Sequence, residues 1–112
     1  MPVLKIRSLT CKKTEDYAGC DEIYITVKGQ KVWGPTDMNT SPSDLKSKTV
    51  DVDIKFKNKV RIYLWDEDAG LGDDDDHLGR TYAYASEVGL GEQEYVFRGC
   101  GASYRMTFEI LE

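Results

Sequence analysis

Between Asp66 and Asp76 the chain reads DEDAGLGDDDD, seven acids in eleven residues with no base among them. Carboxylates crowded onto one short stretch repel one another, and solvent screens only part of that repulsion. A hard cation removes it by supplying the counter-charge. Calcium takes six to eight oxygens at roughly 2.3–2.6 Å in a flexible shell, which the carboxylates and carbonyls of a loop can provide. Magnesium demands a tighter octahedron and keeps its waters, so it suits such a loop less well. A second acidic stretch, Glu15-Asp16-Tyr17-Ala18-Gly19-Cys20-Asp21, leads into an apolar alternating run. The chemistry these residues offer is cation binding.

The acidity is local. The chain has 20 acids and 15 bases for a net charge of −5, and outside the Asp66–Asp76 segment 13 acids face 15 bases. A concentrated anionic loop argues against nucleic acid as a partner, because that needs clustered Lys and Arg. An EF-hand also opens with Asp-x-Asp, but with Asp66 at its first position Gly70 falls at the fifth and His77 at the twelfth, where a bidentate Glu is required. Catalytic patterns are missing as well: there is no Gly-x-Ser-x-Gly, no phosphate-cradling glycine loop, and His77 is the single histidine. Paired carboxylates would serve glycoside hydrolysis only across a substrate-sized cleft, which so small a chain is not expected to hold. The expectation is a protein that is not an enzyme. Cys11, Cys20 and Cys100 form no Cys-x-x-Cys pair, so free thiols in a reducing, cytoplasmic setting are expected.

The elements that must position these acids are strands. With 112 residues, 40% hydrophobic and 11% aromatic, the chain fits one domain spanning 1–112. Its dominant period is two. Leu4 and Ile6, then Ile23, Ile25 and Val27, then Val50 to Phe56, Val60 to Leu64, Tyr95 and Phe97, and Tyr104 to Ile110 all alternate with polar or amphipathic neighbours. Ala83–Val88 reads either as a short helix or as a strand running into a turn. Lys57-Asn58-Lys59 reads as a hairpin turn with Asn58 left-handed, and Gly34–Lys48 as one long loop. Short strands at this spacing predict an all-β, antiparallel sandwich of about eight strands. No apolar run reaches the roughly 18 residues of a transmembrane segment, and the first residues lack the apolar core of a signal peptide.

Leu64-Trp65-Asp66-Glu67-Asp68 followed by Asp76-His77-Leu78-Gly79 resembles the third calcium-binding loop of a C2 domain. There a hydrophobic strand ends in Asp-x-Asp, often after Trp, and Asp-x-hydrophobic-Gly follows. Asp16 to Asp21 and the run Tyr24–Val27 are similar to the first loop of that family. The resemblance covers most of the chain and implies a C2-like β-sandwich in which Asp16 and Asp21 from loop one converge with Asp66, Asp68 and Asp76 from loop three on Ca2+. Glu67 would add its backbone carbonyl. Two positions stay open, because the loop-one acids are spaced one residue closer than is usual in the family and loop three is about two residues longer: Glu15 competes with Asp16, and Asp74 with Asp76. The family's Asn-Pro-x-Trp motif is missing, and Glu22 stands where its proline usually does.

By the same resemblance the partner is an anionic phospholipid surface, met by peripheral association, or another protein. Leu71 and Tyr17 are the apolar residues on offer at the loop tips. The remaining candidates have plainer readings. His77 is expected to be a loop residue, because calcium prefers oxygen. Trp33 and Trp65 offer a sugar platform, but strand tryptophans more often pack in or against a sandwich. Lys55, Lys57, Lys59 and Arg61 read as the solvent face of strands rather than as a lipid patch.

Overall fold

The computed structural model describes residues 1–15, 19–67 and 75–112. Eight strands fill most of them: β1 (Val3–Lys13), β2 (Asp21–Val27), β3 (Gln30–Met38), β4 (Ser47–Lys55), β5 (Lys59–Asp66), β6 (Asp76–Tyr84), β7 (Gln93–Phe97) and β8 (Ser103–Leu111). They form two four-stranded sheets in the orders β4-β1-β8-β7 and β3-β2-β5-β6, and every pairing is antiparallel. The expected all-β sandwich is what the chain forms.

Alternation explains the layering. Successive strand side chains point to opposite faces, so each apolar run delivers one face to the space between the sheets. Leu4, Ile6 and Leu9 of β1 and Tyr104, Met106 and Ile110 of β8 meet Ile23, Ile25, Ile62 and Leu64 from the other sheet, all essentially without solvent exposure. Each such side chain contributes about 1.5–3 kcal/mol relative to an exposed one. In β1 the inward set switches from even to odd positions. A register shift between Ile6 and Ser8 absorbs one residue and lets Leu9 and Cys11 face inward too.

Two local expectations need correction, and one open reading is settled. Lys57-Asn58-Lys59 is no hairpin turn, because β4 and β5 lie in different sheets and the segment carries the chain between them. Buried Phe56 fills the sandwich end at this crossing, and its amide donates to Pro2 O at 3.0 Å. The tight hairpin is instead Lys28-Gly29, two residues at φ 55° and 76° joining β2 to β3, the pattern whose twist matches that of the flanking strands. Gly34–Lys48 is not one loop either: β3 continues to Met38, and Ser43–Lys46 forms a helical turn before β4. Its Gly-Pro pair hid the strand. As an edge strand, β3 tolerates a proline that donates no hydrogen bond, and Gly34 sits where a Cβ would lie 2.3 Å from Ile23 O. Ala83–Val88 resolves as the end of β6 followed by a 3-10 turn, Ala85–Glu87.

Candidate metal centre

Three strand ends meet at one edge of the β3-β2-β5-β6 sheet. β2 begins at Asp21, β5 ends at Asp66 and β6 begins at Asp76. Asp66 pairs with Ile23 on one side and with Asp76 on the other, so two acids stand directly opposite each other in the ladder. Like charges in that relation destabilise a sheet, and here Asp66 is also 1% exposed. Glu15 enters from loop one. One carboxylate oxygen each from Glu15, Asp66 and Asp76 lie within 4.8 Å of one another. At an effective dielectric near 20, two full charges at that separation of 4.8 Å repel by about 3.5 kcal/mol.

The surrounding bonds aim these groups. Glu22 N donates to Asp66 Oδ1 at 2.9 Å, and Glu67 N donates back to Glu22 O at 2.8 Å, which fixes the exit of β5 against β2. Asp21 is fully buried; its Oδ2 accepts the Tyr104 hydroxyl at 2.5 Å and the Glu15 amide at 2.7 Å. Burial first, and then the bond to Asp21, pushes the Tyr104 phenol far above its ordinary value, so it stays a donor. Asn39 Nδ2 donates to Gly19 O at 3.1 Å and ties loop one to the segment after β3. On the far side, Gly99 packs where a Cβ would meet Leu78 O at 2.6 Å, bringing the turn that carries Cys100 against β6. Cys100 Sγ donates to His77 O at 3.6 Å, and burial, with Asp76 and Glu15 nearby, raises its thiol above the usual range.

The sequence-expected ligands divide as follows. The structure brings Asp66 and Asp76 together with Glu15, the residue left open against Asp16. Asp21 lies beneath this triad, hydrogen-bonded to it through Glu15. Glu67 follows Asp66 with its amide bonded to β2. Asp16, Asp68 and Asp74 lie outside the described residues, as do Leu71 and Tyr17.

Two tyrosines were missed. Tyr104 is one. Tyr24 is the other: its hydroxyl donates to Asp75 Oδ2, and its ring stacks on Trp65 with centroids 6.2 Å apart. Burial and the Asp75 carboxylate raise the Tyr24 phenol well above its usual range. The signal for both was their place in an alternating run, which marks a strand face but not a loop contact.

His77 joins an aromatic row on the outer face, 4.9 Å from Trp65 and 5.4 Å from Tyr63. Although it sits in β6 rather than in a loop, it stands apart from the carboxylate triad. Trp65 belongs to that row and donates to Thr26 Oγ1 at 2.9 Å, whereas Trp33 pairs with inward-facing Ile25 and packs against the core. The two tryptophans therefore lie on opposite faces and make no common platform. All three cysteines are free.

No protein-family model matches the sequence, and no curated protein sequence matches it. Solved structures do. A structure of a C2 domain covers 100% of this chain with 100% of its own, at a TM-score of 0.61 and 13% identity. The fold is that of a C2 domain. A C2 domain of plant extended synaptotagmin 1 aligns over 98% of this chain and 91% of its own, at a TM-score of 0.57 and 10% identity. Human GIVD cytosolic phospholipase A2, solved with an inhibitor and terbium chloride, aligns at a TM-score of 0.57 and 16% identity. It covers 98% of this chain, but only 16% of the phospholipase is involved. At these identities the likeness is one of C2 fold. Among the described residues, no helix is long and apolar enough to cross a membrane.

Proposed function

We propose that this C2-fold domain is a calcium-binding module whose loops one and three hold Ca2+ and which docks to an anionic phospholipid surface. The observation that supports this most is the convergence of Glu15, Asp66 and Asp76. Two oxygens that share one calcium at about 2.4 Å each lie at most about 4.8 Å apart, and the three carboxylate oxygens already meet that limit. The donors are all hard oxygens, which suits calcium and not a softer metal. Asp21, Asp16, Asp68, Asp74 and the Glu67 carbonyl are the further oxygens with which the sequence would complete the shell.

The chain's own part in the mechanism is rigidity. Asp66 and Asp76 are fixed by paired strands and Glu15 by the hydrogen bond its backbone amide donates to Asp21, so little ordering is needed when the cation arrives. Bound calcium supplies positive charge to a rim that is otherwise strongly anionic. The rim then accepts an anionic headgroup that the bare carboxylates repel. Nothing in this scheme uses a reaction, and the domain acts by binding.

Calorimetric titration of chelator-stripped protein beside the Asp66→Asn/Asp68→Asn double variant tests the reading. Saturable heat is expected in the parent and none in the variant. A parent silent at millimolar calcium, with no rise in melting temperature, rejects it. Pelleting with phosphatidylserine vesicles then separates lipid docking from a calcium-stabilised protein-interaction domain: pelleting that needs calcium supports the first, and calcium binding without pelleting supports the second.

A further inference from the structure

Tyr104 belongs to β8, in the sheet opposite the carboxylates, and its phenol crosses the sandwich to reach Asp21. Both side chains are fully buried. A buried carboxylate is costly unless charge-assisted hydrogen bonds compensate it, and an apolar pair of similar volume in the same place would serve stability as well or better. A polar pair in this place points to a use other than stability. Asp21 Oδ2 takes the Tyr104 hydroxyl at 2.5 Å and the Glu15 amide at 2.7 Å, so one oxygen links the core to the residue that carries the loop-one member of the triad. Cys11 pairs with Tyr104 across β1 and β8 and is fully buried beside it.

We propose that Tyr104 is the positioning residue of the cation site, setting Asp21 and, through it, the backbone and carboxylate of Glu15. The inference rests on the calcium reading above and adds to it a residue that touches no ion. It makes the opposite sheet part of the site: the loop-one carboxylates are registered against β8 as well as against their own strand. Groups that orient metal ligands in this way are typically worth about 10–100-fold in metal affinity.

The test is calcium calorimetry on the parent, Tyr104→Phe, Asp66→Asn and Ile110→Val. Ile110 is a buried residue of β8 at the end remote from the loops, so its variant controls for loss of stability alone. Tyr104→Phe is expected to bind calcium about 10–100-fold more weakly, while Ile110→Val binds as the parent does. In calcium-free protein the Glu15 amide should also exchange its hydrogen faster in Tyr104→Phe than in Ile110→Val.

Saturable binding by the parent together with unchanged affinity and unchanged Glu15 exchange in Tyr104→Phe would overturn the positioning role and leave the calcium reading intact. A silent parent removes both. Should Tyr104→Phe not fold, Tyr104→Met fills the same space with a flexible apolar side chain that has no hydroxyl. A several-fold weaker affinity is expected there, and parent-like affinity overturns the proposal.

Discussion

β5 runs between two unlike ends. At Asp66 it enters a rim where Glu15, Asp66 and Asp76 crowd within 4.8 Å, with Glu22 bonded to Asp66, Asp21 and Tyr104 behind Glu15, and Tyr24 bonded to the adjoining Asp75. At Lys59 it leaves a basic end, where Lys28, Gly29, Lys59, Val60, Arg61 and Tyr63 line an open cleft of about 410 Å³. The side chains there are tied differently. Lys28 donates to Lys55 O at 2.6 Å, while Lys59 and Arg61 lean on the Tyr82 ring at 5.5 and 6.0 Å. Charge is gathered at both ends, but at the rim it is buried at Asp66, half-buried at Glu15 and Asp76, and aimed by the backbone, while at the basic end it rests on solvated stems. Buried, aimed charge has to be compensated, whereas solvated charge is screened within about 8 Å at physiological salt. That difference makes the rim the candidate site.

The largest expected effect tests what the ends share. Leu64, fully buried in the middle of this sheet, should on truncation to Ala cost about 2–5 kcal/mol in denaturant unfolding, with the calcium-induced rise in stability unchanged. A loss confined to the calcium increment would show that the strand supports only the rim. Next comes Asp76→Asn. Affinity for calcium should fall roughly 100-fold, about 2.7 kcal/mol, as a ligand is lost, while the calcium-free protein melts at a higher temperature because one of two facing charges is gone. A lower melting temperature without calcium would mean that the facing acids are not in conflict.

A smaller effect follows from the two tyrosines at the rim. Tyr24 and Tyr104 have phenols raised above the unfolded value of about 10. Above that pH the unfolded chain loses protons that the folded one keeps, so stability is fully present below pH about 10 and falls as pH rises further. Melting temperatures from pH 8 to 11.5 should show the decline, and Tyr24→Phe should make it shallower. An equal slope in that variant would exclude Tyr24 from it. Smallest of all is the basic end. Lys59→Glu/Arg61→Glu lies about 17–23 Å along β5 from Asp66, so calcium affinity should change by less than about two-fold at physiological salt. Calcium-dependent pelleting with anionic vesicles should persist in it, and its loss would move the lipid contact from the rim to the cleft.

The period-two runs were enough to place the core. Ile23, Ile62, Leu64 and Met106 face inward as alternation predicts, because burying one face is what makes an amphipathic strand stable. Alternation does not say which strand lies beside which, and that is why Lys57-Asn58-Lys59 read as a hairpin when it crosses between sheets. The rim was legible as far as charge goes: an Asp-x-Asp at a strand end named Asp66, and the likeness of Asp76-His77-Leu78-Gly79 to a C2 loop named Asp76, with Asp74 left open beside it. The choice between Glu15 and Asp16 depended on loop geometry that spacing alone does not fix. The structure brings in Glu15, and Asp16 lies outside the described residues. Tyr104 was read only as a core residue, since a tyrosine on the inward face of a distant strand carries no mark of what its hydroxyl reaches.

The close packing of Gly99 on Leu78 also gives this protein a natural attachment point for a chemical label. It holds the exposed Cys100 beside Asp76 and Glu15, while Cys11 is buried and Cys20 half-covered. Because burial, and then Asp76 and Glu15, raise the Cys100 thiol, a maleimide dye should couple there more slowly than to an ordinary exposed cysteine, and faster as the pH is raised. A fluorophore so placed would sit at the edge of the carboxylate rim with no cysteine added to the chain, and its emission would follow the charge at that rim as a cation arrives.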